Sequence, residues 1–143
     1  MKSTIIALLL LLAGSAACLA QCDKKLNLVT SKTEHLDGSN NLERAVDEQT
    51  VIEIIDKNIS VNIENGKQTL TGTIKSNTCD WKTPFKEGKS VIKTTISDED
   101  GNGEKDYILT IEGKDGKVTL TAERVDDSNK KLRFVLDKFE EKK

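Results

Sequence analysis

The stretch Ile59-Ser60-Val61-Asn62-Ile63-Glu64-Asn65-Gly66-Lys67-Gln68-Thr69-Leu70-Thr71-Gly72-Thr73-Ile74 decides the fold class. Ile59, Val61 and Ile63 alternate with Ser60, Asn62 and Glu64, so an extended chain carries apolar residues on one face and polar residues on the other. Asn65-Gly66 follows, a strong hairpin signal because both residue types accept positive φ. Leu70, Gly72 and Ile74 then return on the apolar face. Thr69, Thr71 and Thr73 take the solvent face, as suits a half-buried antiparallel strand.

The same grammar extends outward in both directions. Val91 to Ile96 alternates and is β-branched. A polar loop from Ser97 to Lys105 leads to Tyr107, Leu109 and Ile111 on one strand face. Asp115-Gly116 turns the chain into Val118, Leu120 and Ala122. A polar turn at Asp126 to Lys130 precedes Leu132, Phe134 and Leu136. Towards the N-terminus, Leu26 to Val29 begins a strand, and Val51 to Ile55 forms a more apolar one, buried on both faces or containing a bulge. Between them, Ser39-Asn40-Asn41 either caps a short helix from Leu42 to Val46 or belongs to a loop or strand extension. Strands are therefore expected at residues 25–34, 48–56, 58–65, 67–76, 89–97, 105–113, 116–125 and 130–138. The charged end, Glu140 to Lys143, is expected to fray.

Strands at this spacing predict an all-β antiparallel meander of about eight strands. The architecture expected is a small up-and-down barrel or a curved open barrel, with a two-sheet β-sandwich as the alternative. At the level of strand count the chain is similar to the lipocalin and fatty-acid-binding class (calycin-like barrels). It lacks the Gly-x-Trp signature near the first strand that lipocalins carry. The resemblance implies an interior that is either filled or holds one small ligand.

The N-terminal segment reads as an export signal over residues 1–20, leaving 21–143 as a single β domain. Met1-Lys2 is a short positive start, Ile5 to Ala13 is an unbroken apolar run, and Gly14 to Ala17 are small. The run is too short to cross a bilayer as a helix, which takes about 20 apolar residues. Cleavage after Ala20 or Gln21 gives a soluble exported protein, periplasmic or extracellular. The alternative is an outer-membrane lipoprotein acylated at Cys22 or Cys18. Leu19-Ala20-Gln21-Cys22 resembles a lipobox with Gln where a small residue belongs. This leader tilts the source towards a Gram-negative bacterium. Asn58-Ile59-Ser60 is a glycosylation sequon that counts only in a eukaryote. With Cys18 removed in the leader, Cys22 and Cys79 are the natural disulfide pair of an oxidising compartment.

Composition narrows the function classes. Of 143 residues, 22 are Lys or Arg and 24 are Asp or Glu, a balance unlike that of a basic nucleic-acid binder. One proline and nine glycines among steady Val, Ile and Leu exclude collagen and a fully disordered chain. No nucleophile elbow, phosphate-binding Gly-rich loop or His-Glu-x-x-His is present, so no enzyme and no catalytic residue is expected. His35, the single histidine, reads as a solvated residue of a polar segment. Two thiols and one histidine cannot close a structural zinc site.

Two segments stand out as candidate sites. Asp98, Asp100, Asn102 and Gly103 match positions 1, 3, 5 and 6 of a calcium loop, with Glu104 and Asp106 following. Alternate oxygens and a sharp glycine turn suit Ca²⁺, the one cofactor the sequence suggests. Position 12 is Leu109, however, where a bidentate Glu belongs, and the flanks read as strands. The bland alternative is a solvated hairpin loop. The second segment, Cys79 to Phe85, gathers Trp81, Pro84 and Phe85 in what reads as a central loop. It either contacts a ligand or protein partner or folds back to plug one end of the core.

The expectation is an exported, non-enzymatic binding module that holds a small apolar or amphiphilic ligand in a barrel. The alternative is a packed structural or interaction domain of the cell envelope, inhibitor- or adhesin-like. The partner is then another envelope protein; nucleic acid is not expected, and a membrane only through a lipid anchor.

Overall fold

A computed structural model describes residues 22–97 and 103–143. Nine antiparallel strands follow one another: β1 (Leu26–Leu36), β2 (Leu42–Ile55), β3 (Asn58–Ile63), β4 (Gln68–Thr83), β5 (Glu87–Ser97), β6 (Glu104–Lys114), β7 (Lys117–Arg124), β8 (Asp127–Val135) and β9 (Lys138–Glu141). Each strand from β1 to β7 pairs with the next, and β8 pairs back onto β1. The sheet is thus a closed eight-stranded up-and-down barrel with one extra strand, not a sandwich. No helix occurs among the described residues. The decisive hairpin forms as its alternation requires, with Ile59 opposite Gly72 and Val61 opposite Leu70. Glu64, Asn65 and Gly66 all take positive φ in its turn.

Closure depends on a divided seam. The first half of β1 pairs with β9, from Leu26 opposite Glu141 to Val29 opposite Lys138. The second half pairs with β8, from Thr33 opposite Phe134 to Leu36 opposite Lys131. Between them the Thr30 hydroxyl donates to the Val135 carbonyl at 2.9 Å, and the Asp137 N–H donates to the Val29 carbonyl at 2.7 Å. These bonds satisfy backbone groups that the break would otherwise leave unpaired. Glu140 and Glu141 of the charged C-terminal end lie on β9, and their backbone pairs with Asn27 and Leu26 of β1. The backbone of β9 completes the barrel, although its side chains give no apolar alternation.

Three further boundaries differ from expectation, each for a local reason. Residues 42–46 are strand, the extension that stands as the alternative to a capped helix, so β2 begins at Leu42 and not near residue 48. The Asp37 carboxylate accepts from the Ser39 and Asn41 N–H groups, both at 2.9 Å, and Asn40 takes φ 67°. This side-chain turn makes the β1–β2 hairpin and leaves no helix to cap. The β7–β8 turn is only residues 125–126, so the polar run to Lys130 is mostly strand.

The third difference is in β4, which runs on to Thr83. A register shift between Ile74 and Ser76 breaks its pairing with β5. Before it the inward residues are Leu70, Gly72 and Ile74; after it they are Asn77, Cys79 and Trp81. A bulge that flips the inward parity hides the second half of the strand from a period-two reading. Trp81 therefore lies on a strand, not in a loop, and Phe85 occupies the turn with φ 63°.

Candidate functional site

The barrel has two unlike ends. One is closed by aromatic packing. Trp81 is 1% exposed, and its ring lies 5.6 Å from that of Phe139, which in turn lies 5.0 Å from Phe85 in an edge-on contact. The indole N–H donates to the Ser90 hydroxyl at 2.7 Å. Gly88, at φ +151°, lets β5 pass the tryptophan; a Cβ there would lie 2.4 Å from the Trp81 Cα. The Cys22–Cys79 disulfide, with 5.9 Å between Cα atoms, fastens the chain before β1 to β4 close to this plug. Of the candidate loop, Trp81 and Phe85 thus sit in the plug, and Pro84 precedes Phe85 in the β4–β5 turn.

The other end holds a cavity of about 460 Å³. It exists because the side chains facing it are aliphatic and of moderate size, while the large aromatics are mostly concentrated at the opposite end. Ile59, Val61, Leu70, Ile96, Leu109, Leu120, Leu132 and Phe134 line it from β3 round to β8. The β1–β2 wall differs. It presents Thr33 and His35 from β1, and Arg44, Val46, Glu48, Thr50 and Ile52 from β2. All five β2 residues have the same parity, as one strand face requires. The pairing of β2 with β3 begins only at Thr50 opposite Ile63. Before Gln49, whose carbonyl accepts from the Glu64 N–H at 2.7 Å, β2 pairs with β1 alone, so the wall opens beside the β3–β4 turn. Gln68 and Tyr107 complete the mouth.

His35 is thus half-buried against the cavity rather than a solvated bystander. Thr33, Thr50, Arg44 and Glu48 were not singled out from the sequence. The signal that identifies the three β2 residues is the alternation continued backward from Ile54 and Ile52 through Thr50, Glu48, Val46 and Arg44; Thr33, on β1, has no such signal.

Of the acidic loop, Asp98, Asp100 and Asn102 lie outside the described residues. Glu104 and Asp106 lie on β6, with exposed side chains. The Asp106 carboxylate accepts from the Lys75 ammonium and the Thr95 hydroxyl, both at 2.8 Å. The Lys75 bond, then the Thr95 bond, hold its pKa below the usual aspartate value. Among the described residues no three His, Cys, Asp or Glu side chains cluster so as to hold a metal ion. Arg124 and Asp126 form a two-bond pair at the β7–β8 turn, with 2.9 Å in each bond. That pairing lowers the Asp126 pKa and raises that of Arg124.

Fold and site together define a closed β-barrel, plugged at one end and hollow at the other. The chain matches no protein-family model, no curated protein and no solved structure. What the hollow end does is therefore argued from its own geometry.

Proposed function

We propose that this protein is an exported, non-enzymatic binding module that carries a small apolar or amphiphilic molecule in the open half of its barrel. One observation carries the reading: one end of the barrel holds a cavity of about 460 Å³ lined mostly by apolar side chains. Protein interiors are close-packed, and leaving apolar side chains around a void forfeits contacts. A ligand restores them. The volume falls in the range of small-molecule sites, and an apolar lining with a few polar groups on one wall is the usual make-up of such sites. The closed end supplies the rigid base on which such a pocket is held open.

Export is supported by the apolar leader and by the Cys22–Cys79 disulfide, which is compatible with an oxidising compartment. In the bridged form the Cys22 sulfur is occupied, so a lipid anchor on this form would have to use Cys18.

The test is native mass spectrometry of protein taken from its own host, followed by the denatured mass of the same sample. A retained small molecule, released on denaturation, is the expected result. A native mass equal to the denatured mass, together with no saturable binding of any apolar probe, overturns the carrier reading in favour of a packed interaction domain. The denatured mass also reports the cleavage position and any acyl chain.

A further inference from the structure

Resting on the carrier reading, we infer that the ligand bears a neutral oxygen, a hydroxyl or a carbonyl, that hydrogen-bonds to Thr33 and Thr50 on the β1–β2 wall while its apolar body lies against the aliphatic wall. Five hydroxyl side chains are buried among the described residues: Thr30, Thr33, Thr50, Ser90 and Thr94. Three are away from the cavity and have protein partners. Thr30 donates to the Val135 carbonyl, Thr94 donates to the Thr73 carbonyl at 2.8 Å, and Ser90 accepts from Trp81. The other two, Thr33 and Thr50, line the cavity, and neither hydroxyl has a protein partner.

That division follows the cavity, not burial. Thr33 is 3% exposed and Thr50 0%, as deeply placed as the satisfied threonines. A buried hydroxyl without a partner is costly, and valine would fill the same shape without that cost. Rotation about χ1 between staggered positions exchanges hydroxyl and methyl on the wall, so either hydroxyl can be turned towards a ligand. A threonine hydroxyl both donates and accepts, which suits a carbonyl or an alcohol equally.

The group is neutral because two hydroxyls cannot offset the desolvation of an ion at that depth. Charged groups lie further out on the same wall: Arg44 stands opposite His35 near the end of the hairpin, with Glu48 between it and Thr50. An anionic headgroup would seat on Arg44 at the mouth, and Glu48 would oppose it there.

The experiment titrates hexanol, hexanoate and hexane into the disulfide-bonded protein and follows Ile, Leu and Val methyl resonances. The wild type is compared with the Thr33→Val/Thr50→Val double variant, with the two Thr→Ser variants and with Arg44→Gln. The valine pair should weaken hexanol roughly tenfold, the loss expected for about two modest hydrogen bonds, and leave hexane unchanged. It should also raise the thermal midpoint of the ligand-free protein, because it removes two unpaired buried hydroxyls. The serine variants, which keep the hydroxyl, should bind hexanol within about twofold of wild type on the same reasoning. If hexane and hexanol both bind and the valine pair weakens neither, the carrier reading stands and the polar subsite is overturned. Hexanoate binding that depends on Arg44, with hexanol indifferent to the threonines, also overturns it in favour of an anionic seat. If none of the three probes binds, the carrier reading itself fails.

Discussion

Trp81 and Ser90, nine residues apart on neighbouring strands, share a fully buried hydrogen bond of 2.7 Å at the closed end of the barrel. The indole gives the plug its volume, and the serine gives the indole N–H the partner that burial demands. Trp81→Phe should therefore cost about 2–4 kcal/mol, combining lost volume with an orphaned Ser90 hydroxyl. Urea denaturation measures it. Because Trp81 is the only tryptophan, its emission is a clean reporter. It should be blue-shifted, resistant to iodide, and unchanged by ligands that fill the other end. A ligand-induced shift in Trp81 emission would place binding at the plug instead.

Phe139 makes the second prediction. It is the one large apolar side chain of β9, and it touches both Trp81 and Phe85. Phe139→Ala should destabilise the fold by about 3 kcal/mol. It should also release β9 from β1, so that the amides paired between residues 26–29 and 138–141 lose protection in hydrogen exchange. Unchanged protection there would mean that the backbone ladder alone secures the seam.

The disulfide yields a third. Cys22–Cys79 closes a span with a sequence separation of 57, and replacing both cysteines with serine should lower stability by about 2–4 kcal/mol. The barrel should still form, since the backbone pairing closes the ring from β1 round to β8 without the bridge. The expected readout is a lower urea midpoint with an unchanged far-ultraviolet spectrum. Collapse of that spectrum would show that the tether is required to hold β1 in the ring.

How much of this could be read from the chain alone follows from what period-two alternation reports. It reports strands whose inner face is apolar. Ile59 to Ile74 and Tyr107 to Ala122 satisfy that condition, and their pairing follows the expected hairpins. It fails in β4 because one register shift moves the inward positions from Ile74 to Asn77. It fails in β9 because a single phenylalanine carries the packing while the backbone carries the rest. It fails in the first half of β2 for a reason tied to the site. Arg44 and Glu48 point to a cavity, not a core, and a cavity wall admits polar side chains that a core would not. The departure from apolar alternation that obscured the strand is therefore the same feature that marks the polar wall of the pocket.

The β1–β2 hairpin that carries this wall should respond to acid. Asp37 accepts the backbone N–H of Asn41, its side-chain amide and the backbone N–H of Ser39, and these bonds hold its pKa below the ordinary value of 3.8. A carboxyl whose pKa falls on folding contributes its stabilisation in full above the unfolded value and loses it as pH falls through the folded one. The turn should thus be intact at neutral pH and loosen only below pH 3.8, once Asp37 protonates. Amide shifts of Ser39 and Asn41, followed by NMR from neutral pH downwards, should report one common titration displaced to the acid side of free aspartate. Asp37→Asn keeps an acceptor oxygen but cannot titrate, so in that variant the acid step at Ser39 and Asn41 should vanish. Persistence of the step in Asp37→Asn would assign the acid response of the hairpin to another carboxyl and remove Asp37 as its anchor.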